Sequence, residues 1–204
     1  MKIPIPILRN FGLLLLAVVL TAGCANDPRV RSGTFYLGGF RRADQPTRAN
    51  FDNVSYWDGD HVSGPPSLKV DLSEQRAYFY KGGELVGVSV ISSGREGFGT
   101  TTGNFRIIQK DRHHKSTLYG DYVDAHSGEV VKKDVDINRD RRPPGAVFDG
   151  AKMPFFMRIV GGTGMHEGFL PGYPASHGCI RMPGFMAEHY FENVSVGTPV
   201  TLTH

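Results

Sequence analysis

Chemistry in this chain concentrates on Cys179, which sits in the run Ser176-His177-Gly178-Cys179-Ile180-Arg181, with His166 upstream. Nucleophilic catalysis by a thiol needs a thiolate, a base that creates or holds it, and a group that orients the base. His166 and His177 offer bases, and Arg181 offers a fixed positive charge two residues on. Such partners lower a thiol pKa from its free value of about 8.5. Gly178 lets the backbone approach a substrate closely, and main-chain N–H groups around 177–179 could form an oxyanion hole. The only other cysteine is Cys24, at the end of an export-type leader. Exported proteins usually pair their cysteines or avoid them. An unpaired thiol between histidines and beside an arginine is therefore better placed for chemistry than for packing.

A β-rich scaffold must position these groups. Leu68, Val70 and Leu72 alternate with Ser67, Lys69 and Asp71, the period of a half-buried strand. Residues 77–80, the pair Gly82-Gly83 and residues 85–91 predict a hairpin. Phe105, Ile107 and Ile108 mark another strand after a glycine- and threonine-rich loop at 97–103. Residues 154–160 are nearly continuously apolar and predict a fully buried strand. One helix is expected over 183–193, with proline at its start and Phe185, Met186, His189 and Tyr190 at helical spacing. Residues 199–203 close the domain as a last strand. With 26 glycines and 13 prolines, the expectation is a mainly β, sandwich-like domain with one notable helix after Cys179.

Two stretches fall outside this pattern. Residues 113–149 are polar, with Lys132, Lys133, Arg139, Arg141, Arg142 and Pro143-Pro144. They are too long for a neutral connector and read as a loop, lid or small subdomain beside the active site. Residues 24–66 read as a tether that becomes ordered only near its end, with the domain starting at 67. Phe35, Tyr36, Phe51, Tyr56 and Trp57 are more aromatic surface than a bare linker needs, and packing of these residues on the domain is expected.

Residues 1–23 have the layout of a signal peptide: Lys2 and Arg9, an apolar run over 11–20, then small residues. The run is shorter than the roughly 20 residues of a spanning helix. Thr21-Ala22-Gly23-Cys24 resembles a bacterial lipobox, with Leu20 one position further from the cysteine than usual. Lipidation of Cys24 is expected, and Ala25 resembles lipoproteins sent to an outer membrane. Loss of Lys2 and Arg9 lowers the formal charge from +3 to +1. A near-neutral chain presents no electrostatic case for nucleic acid.

The segment Gly164-Met165-His166 through Ser176-His177-Gly178-Cys179-Ile180-Arg181-Met182 resembles the L,D-transpeptidase (YkuD) catalytic domain, whose signature is an upstream His and then Ser/Thr-His-Gly-Cys. Val70 to Arg76, Ser92-Ser93-Gly94, Thr101-Thr102-Gly103-Asn104-Phe105 and Met153 to Arg158 resemble further stations of that family, so the likeness spans about residues 67–203. The resemblance implies acyl transfer on peptidoglycan stem peptides, without cofactor or metal. Cys179 would be the nucleophile and His166 the general base and acid. Ser176 and His177 would be supports, Gly178 and Cys179 would supply oxyanion N–H groups, and Arg181 would orient a substrate carboxylate. An envelope protein joined to or released from the wall is a further implied partner. The motif leaves open whether an amine or water resolves the thioester, hence transferase, carboxypeptidase or amidase. A non-catalytic peptidoglycan tether is the third reading.

This sequence departs from the family at Glu167, where many members have Gly, and at Thr101, where Pro is usual. Only nine residues separate His166 from Ser176, which points to a compact substrate loop. Two motifs are decoys. Residues 134–140 imitate an EF-hand, but Arg139 stands where Gly is needed. His166-Glu167 imitates a zinc-protease motif, but Leu170 replaces the second His. His113, His114 and His126 read as loop histidines.

Overall fold

The computed structural model describes residues 52–204. The leader, Cys24, Phe35, Tyr36 and Phe51 lie outside the described residues. In chain order the elements are β1 (Tyr56–Trp57), β2 (Pro66–Asp71), β3 (Arg76–Lys81), β4 (Glu84–Val90), β5 (Gly103–Arg106), β6 (Gln109–Asp124), β7 (Val130–Asp136), β8 (Ala146–Val160), β9 (Thr163–Glu167), β10 (Ile180–Met182), α1 (Gly184–Asn193) and β11 (Pro199–Thr203). Two sheets carry the fold. The first runs β1-β4-β3-β2-β11-β5 and the second β10-β9-β8-β6-β7. Among the described residues the domain is mainly β with one α-helix, as expected.

Alternation decides which faces turn inward. Leu68 and Val70 of β2, Ala77 and Phe79 of β3, and Val200 and Leu202 of β11 are buried, while Lys69 between them is exposed. They meet Met157 and Ile159 of β8, Met165 of β9 and Ile180 and Met182 of β10 in one core. Helix α1 presses Met186, Ala187, Tyr190 and Phe191 into it. These residues share one helical face, and Tyr190 Oη donates to the Ala77 carbonyl at 2.8 Å. β11 lies between β2, which it pairs in parallel, and β5, which it pairs antiparallel.

Order begins well before residue 67. Trp57 meets Phe79 edge-on at 5.0 Å and stacks on His189 at 5.0 Å, and its Nε1 donates to Asp60 Oδ1 at 2.7 Å. Lys81 Nζ lies 5.5 Å from its ring. The end of the expected tether is thus a folded part of the domain. An indole buries more apolar area than most side chains, which is why so short a segment stays docked.

Residues 113–149 form most of an antiparallel arm rather than a loop. β6 pairs β8 over most of its length and β7 at its tip, and the arm has a small core of Tyr122, Val135 and Ala146 with Phe148 against it. Most of its side chains stay in water. The period-two hydrophobic signal is therefore weak. Within the EF-hand imitation, Asp136 and Asp140 staple the tip instead: Asp140 accepts from Lys132 and from the Asp136 N–H, Asp136 accepts from the Asn138 N–H, and the Asp134 N–H donates to Asp121. At the root the register jumps between Lys115 and Gly120 of β6. Gly120 and Gly150 permit this by close approach, since a Cβ on either would fall within 2.2 Å of an opposing carbonyl oxygen. The bulged residues are tied by Ser116 Oγ, which accepts from the Leu118 and Tyr119 N–H groups. Bulges re-aim side chains, and this one presents Tyr119.

Candidate active site

Cys179 sits on a turn clamped by residues 92–95. Ser92 and Arg181 exchange both main-chain hydrogen bonds at 3.0 Å. The Ala175 and Ser176 N–H groups donate to the Ser93 carbonyl, and Arg95 N–H donates to Ser176 O, all at 3.0 Å. Inside the turn, Ser176 Oγ donates to the Cys179 carbonyl and accepts from Gly178 N–H. Thr100 Oγ1 donates to the Gly178 carbonyl at 2.9 Å and accepts from Gly94 N–H. Gly178 has a φ of +107°, a conformation that a Cβ disfavours. Buried polar groups are held only when paired, and Ser176 and Thr100 supply those pairs. Ser176 therefore lies where a support is expected. Gly178 N–H is turned to Ser176 Oγ, so of the two expected oxyanion donors the Cys179 N–H is the one that remains.

His166 reaches the same place from the neighbouring strand. β9 and β10 run parallel, with Arg181 opposite His166 and Ile180 opposite Met165, so the strand that follows Cys179 lies beside the strand that carries His166. His166 is buried at 5% exposure. Its Nδ1 meets the Glu167 carbonyl at 2.6 Å; a carbonyl only accepts, so Nδ1 carries the hydrogen and Nε2 is the free lone pair. The Glu167 carboxylate lies against Gly184, at the first turn of α1: a Cβ on Gly184 would stand 3.1 Å from Glu167 Cδ. Unpaired N–H groups and the helix dipole favour an anion there. This gives Glu167 a place where many members of the resembled family have Gly.

Electrostatics revise one expectation. Burial outweighs the Glu167 hydrogen bond and, helped by the Arg181 and His114 charges, pushes the His166 pKa down to about 4. Burial likewise pushes the Cys179 thiol up, against the Gly164 N–H and the charges of Arg158 and Arg181. Arg181 thus lowers the thiol pKa as expected, but desolvation, which disfavours both charged forms, outweighs it and the net shift is upward. At neutral pH the site rests as thiol and neutral imidazole. Cys179 Sγ points to the Gly162 carbonyl at 3.6 Å.

His177 is held by a separate set of partners. Arg95 Nη2 meets its Nε2 at 2.8 Å. Tyr119, delivered by the arm's bulge, stacks on its ring at 4.4 Å, and Phe98 meets it edge-on at 4.8 Å. Burial, with the charges of Arg95 and Arg181, lowers its pKa, so the neutral ring accepts from Arg95. Arg181 is half-buried, and Gly168 makes room for its stem, since a Cβ there would be 2.9 Å from Arg181 Cγ. Burial also lowers the Arg181 pKa, as does the Arg95 charge, while Cys179 acts the other way.

His113 and His114 lie in β6, not in a loop. His114 Nδ1 meets Asp111 Oδ2 at 3.1 Å, and its ring stacks at 4.2 Å on Phe156, which in turn tilts toward His166 at 6.2 Å. Glu167 is visible in the sequence as a departure from the family pattern, whereas Arg95, Thr100 and Tyr119 are the parts of the site that motif reading passes over. Among them only Thr100 carries a signal, as a small polar residue in the 97–103 loop.

A family model for the L,D-transpeptidase catalytic domain (YkuD) matches residues 65–202. The fold is similar to an L,D-transpeptidase (Yku) from Stackebrandtia nassauensis, with a TM-score of 0.50 and 17% identity over 77% of this chain and 62% of that one. It is similar to an L,D-transpeptidase from Mycobacterium smegmatis, with a TM-score of 0.50 and 18% identity over 68% of this chain and 58% of that one. The matched region thus spans about three fifths of those proteins. A comparison with curated proteins finds no match.

Proposed function

Because the chain belongs to the L,D-transpeptidase catalytic domain (YkuD) family, we propose that it transfers acyl groups between peptidoglycan stem peptides through a thioester on Cys179. The observation that carries this reading is the placement of a partly buried thiol on a fully tied turn, next to the strand bearing a histidine whose Nε2 is free. The sulfur attacks the carbonyl of the third stem residue, a diamino acid. As negative charge grows on sulfur and oxygen, the nearby imidazole becomes basic enough to take the thiol proton at Nε2. The C–N bond to the terminal D-Ala then breaks, His166 returns the proton to the departing amine, and a thioester remains. An acceptor amine, the side-chain amine of another stem, attacks the thioester. His166 takes its proton and hands it to the departing sulfur, restoring the thiol.

The Cys179 N–H would meet the developing oxyanion, and Arg181 would hold a substrate carboxylate. Residues 1–23 would direct export, and a lipid on Cys24 would hold the enzyme at the envelope, on an outer membrane. Single acyl chains bind only marginally, so firm anchoring requires more than one. The reaction is tested by incubating the chain from residue 25 onward with disaccharide-tetrapeptide and reading products by mass spectrometry. Dimers are expected, and none from Cys179→Ser. Loss of D-Ala without dimers would assign a hydrolase, and no turnover would overturn the catalytic reading.

A further inference from the structure

One row of residues crosses the second sheet through the site. Arg181 lies opposite His166. Met157 lies opposite Met165, which brings Phe156 level with His166, and Phe156 lies opposite Asp111. His166 therefore has two flanks, Arg181 on the β10 side and Phe156 on the β8 side. The Phe156 ring is buried, and it tilts toward His166 with centroids 6.2 Å apart. His114 stacks on that same ring at 4.2 Å, 17° from parallel, and Arg158 lies 5.0 Å from it. The His114 charge reaches His166, so the two imidazoles share one electrostatic neighbourhood.

His114 is oriented as a base. Its Nδ1 meets Asp111 Oδ2 at 3.1 Å; a carboxylate only accepts, so Nδ1 carries the hydrogen and the neutral ring keeps its lone pair on Nε2. The His113 N–H donates to Asp111 Oδ1 at 3.1 Å. That bond, and then the one from His114, hold the Asp111 carboxyl below its ordinary range. Asp111 is thus fully charged at neutral pH, the kind of partner that fixes an imidazole tautomer and steadies an imidazolium. The His114 side chain keeps 15% exposure, enough to meet a ligand and to return a proton to water, whereas His166 is buried.

Resolution of a thioester by an amine needs two proton acceptors. An alkylammonium titrates at about 10.4, so at neutral pH the acceptor arrives protonated and must lose two protons to become an amide. His166 Nε2 takes one of them, the one it passes to sulfur. We propose that His114 is the acceptor-side base: its Nε2 receives the ammonium of the incoming side chain and takes the other proton. The proposal rests on the thioester reading above. An N–H bond of the ammonium breaks, an N–H bond forms at His114 Nε2, and the imidazolium beside Asp111 gives its proton to water. The freed lone pair attacks the thioester carbonyl and the C–S bond breaks. The second proton travels through His166 to the departing sulfur. The acceptor then approaches from the Phe156 flank of His166, opposite Arg181.

Single-turnover kinetics separate the two halves of the reaction. Wild type, His114→Gln and His114→Phe are acylated with disaccharide-tetrapeptide, and release of D-Ala is timed apart from transfer to a tripeptide acceptor ending in the diamino acid. Removing a general base should slow transfer by about 100-fold in His114→Gln, and acylation far less. Hydroxylamine, already unprotonated at neutral pH, should resolve the thioester at the same rate in wild type and variant. His114→Phe keeps an aromatic ring on Phe156 but offers no base, so it should fail as His114→Gln does. Recovered transfer in His114→Phe, or an equal loss with hydroxylamine, would make His114 a packing residue and refute the proposal. Contact is read separately on Cys179→Ala, where the tripeptide should shift the His114 ring resonances saturably in NMR spectra. No shift refutes the acceptor contact whatever the turnover. A saturable shift without any transfer by the wild-type enzyme would keep the contact and overturn the transferase reading.

Discussion

Acidification should destabilise this domain through His166 before its carboxylates titrate. In the unfolded chain the imidazole takes a proton at its ordinary value of 6.5, whereas in the fold burial holds that value near 4. A folded pKa below the unfolded one leaves stability intact above pH 6.5 and removes it as pH falls toward 4. At pH 5 the unfolded imidazole is almost fully protonated and the folded one is almost neutral. The linkage then amounts to about 2 kcal/mol lost relative to pH 7.5. For a domain of this size that is a Tm fall of about 4–8 °C. The histidine is isolated by measuring urea unfolding of the wild-type protein and of His166→Gln at both pH values, because other titrations, His177 included, occur in both proteins. The wild type should lose about 2 kcal/mol more than the variant over that interval. Equal losses, within about 0.5 kcal/mol, would mean that His166 is solvated or charged in the fold, and the resting state described here would be wrong.

Three further outcomes test other parts of the structure. Alkylation of Cys179 by iodoacetamide should rise about tenfold per pH unit between 6 and 8, because burial holds the thiol protonated; a plateau across that range would reveal a thiolate–imidazolium pair instead. Trp57→Ala should cost about 3 kcal/mol in urea unfolding, given its contacts with Phe79, His189 and Tyr190, while a change under about 0.5 kcal/mol would detach that segment from the fold. In cells, Cys24→Ala should move the protein from the membrane to the soluble fraction, and continued membrane association would reject the lipid anchor.

Core-facing strands were legible because each buries one face: Leu68 and Val70, or Val200 and Leu202, write the alternation directly into the chain. Helix α1 was equally legible, from a proline at its cap and an apolar face of two turns. The arm was not, since strands with water on most of their side chains carry little hydrophobic period. Partners were not legible either. Nothing local in 199–203 says that it lies between 66–71 and 103–106. In the site, Cys179 and His166 announce themselves by residue type and spacing, while Arg95 and Thr100 enter only because residues 92–100 are laid along 175–181 by main-chain bonds. Tyr119 enters through a bulge whose glycines look, in sequence, like ordinary loop residues. The direction of the thiol's pKa is hidden for a related reason: positive neighbours can be read from sequence, but the depth of burial that outweighs them cannot.

The position of β11 bears on when the enzyme comes into being. Residues 199–203 form an interior strand of the first sheet, and their parallel partner begins at Pro66. Pairing across so much chain is slow, since loop closure must precede any gain. Until those residues have emerged and paired, β2 and β5 lack their shared neighbour, and the core beneath the Cys179 turn is open. A chain that has not yet paired residues 199–203 would therefore carry its thiol without the clamped turn and the neighbouring histidine strand. Activity would switch on with the closure of the first sheet, as one event.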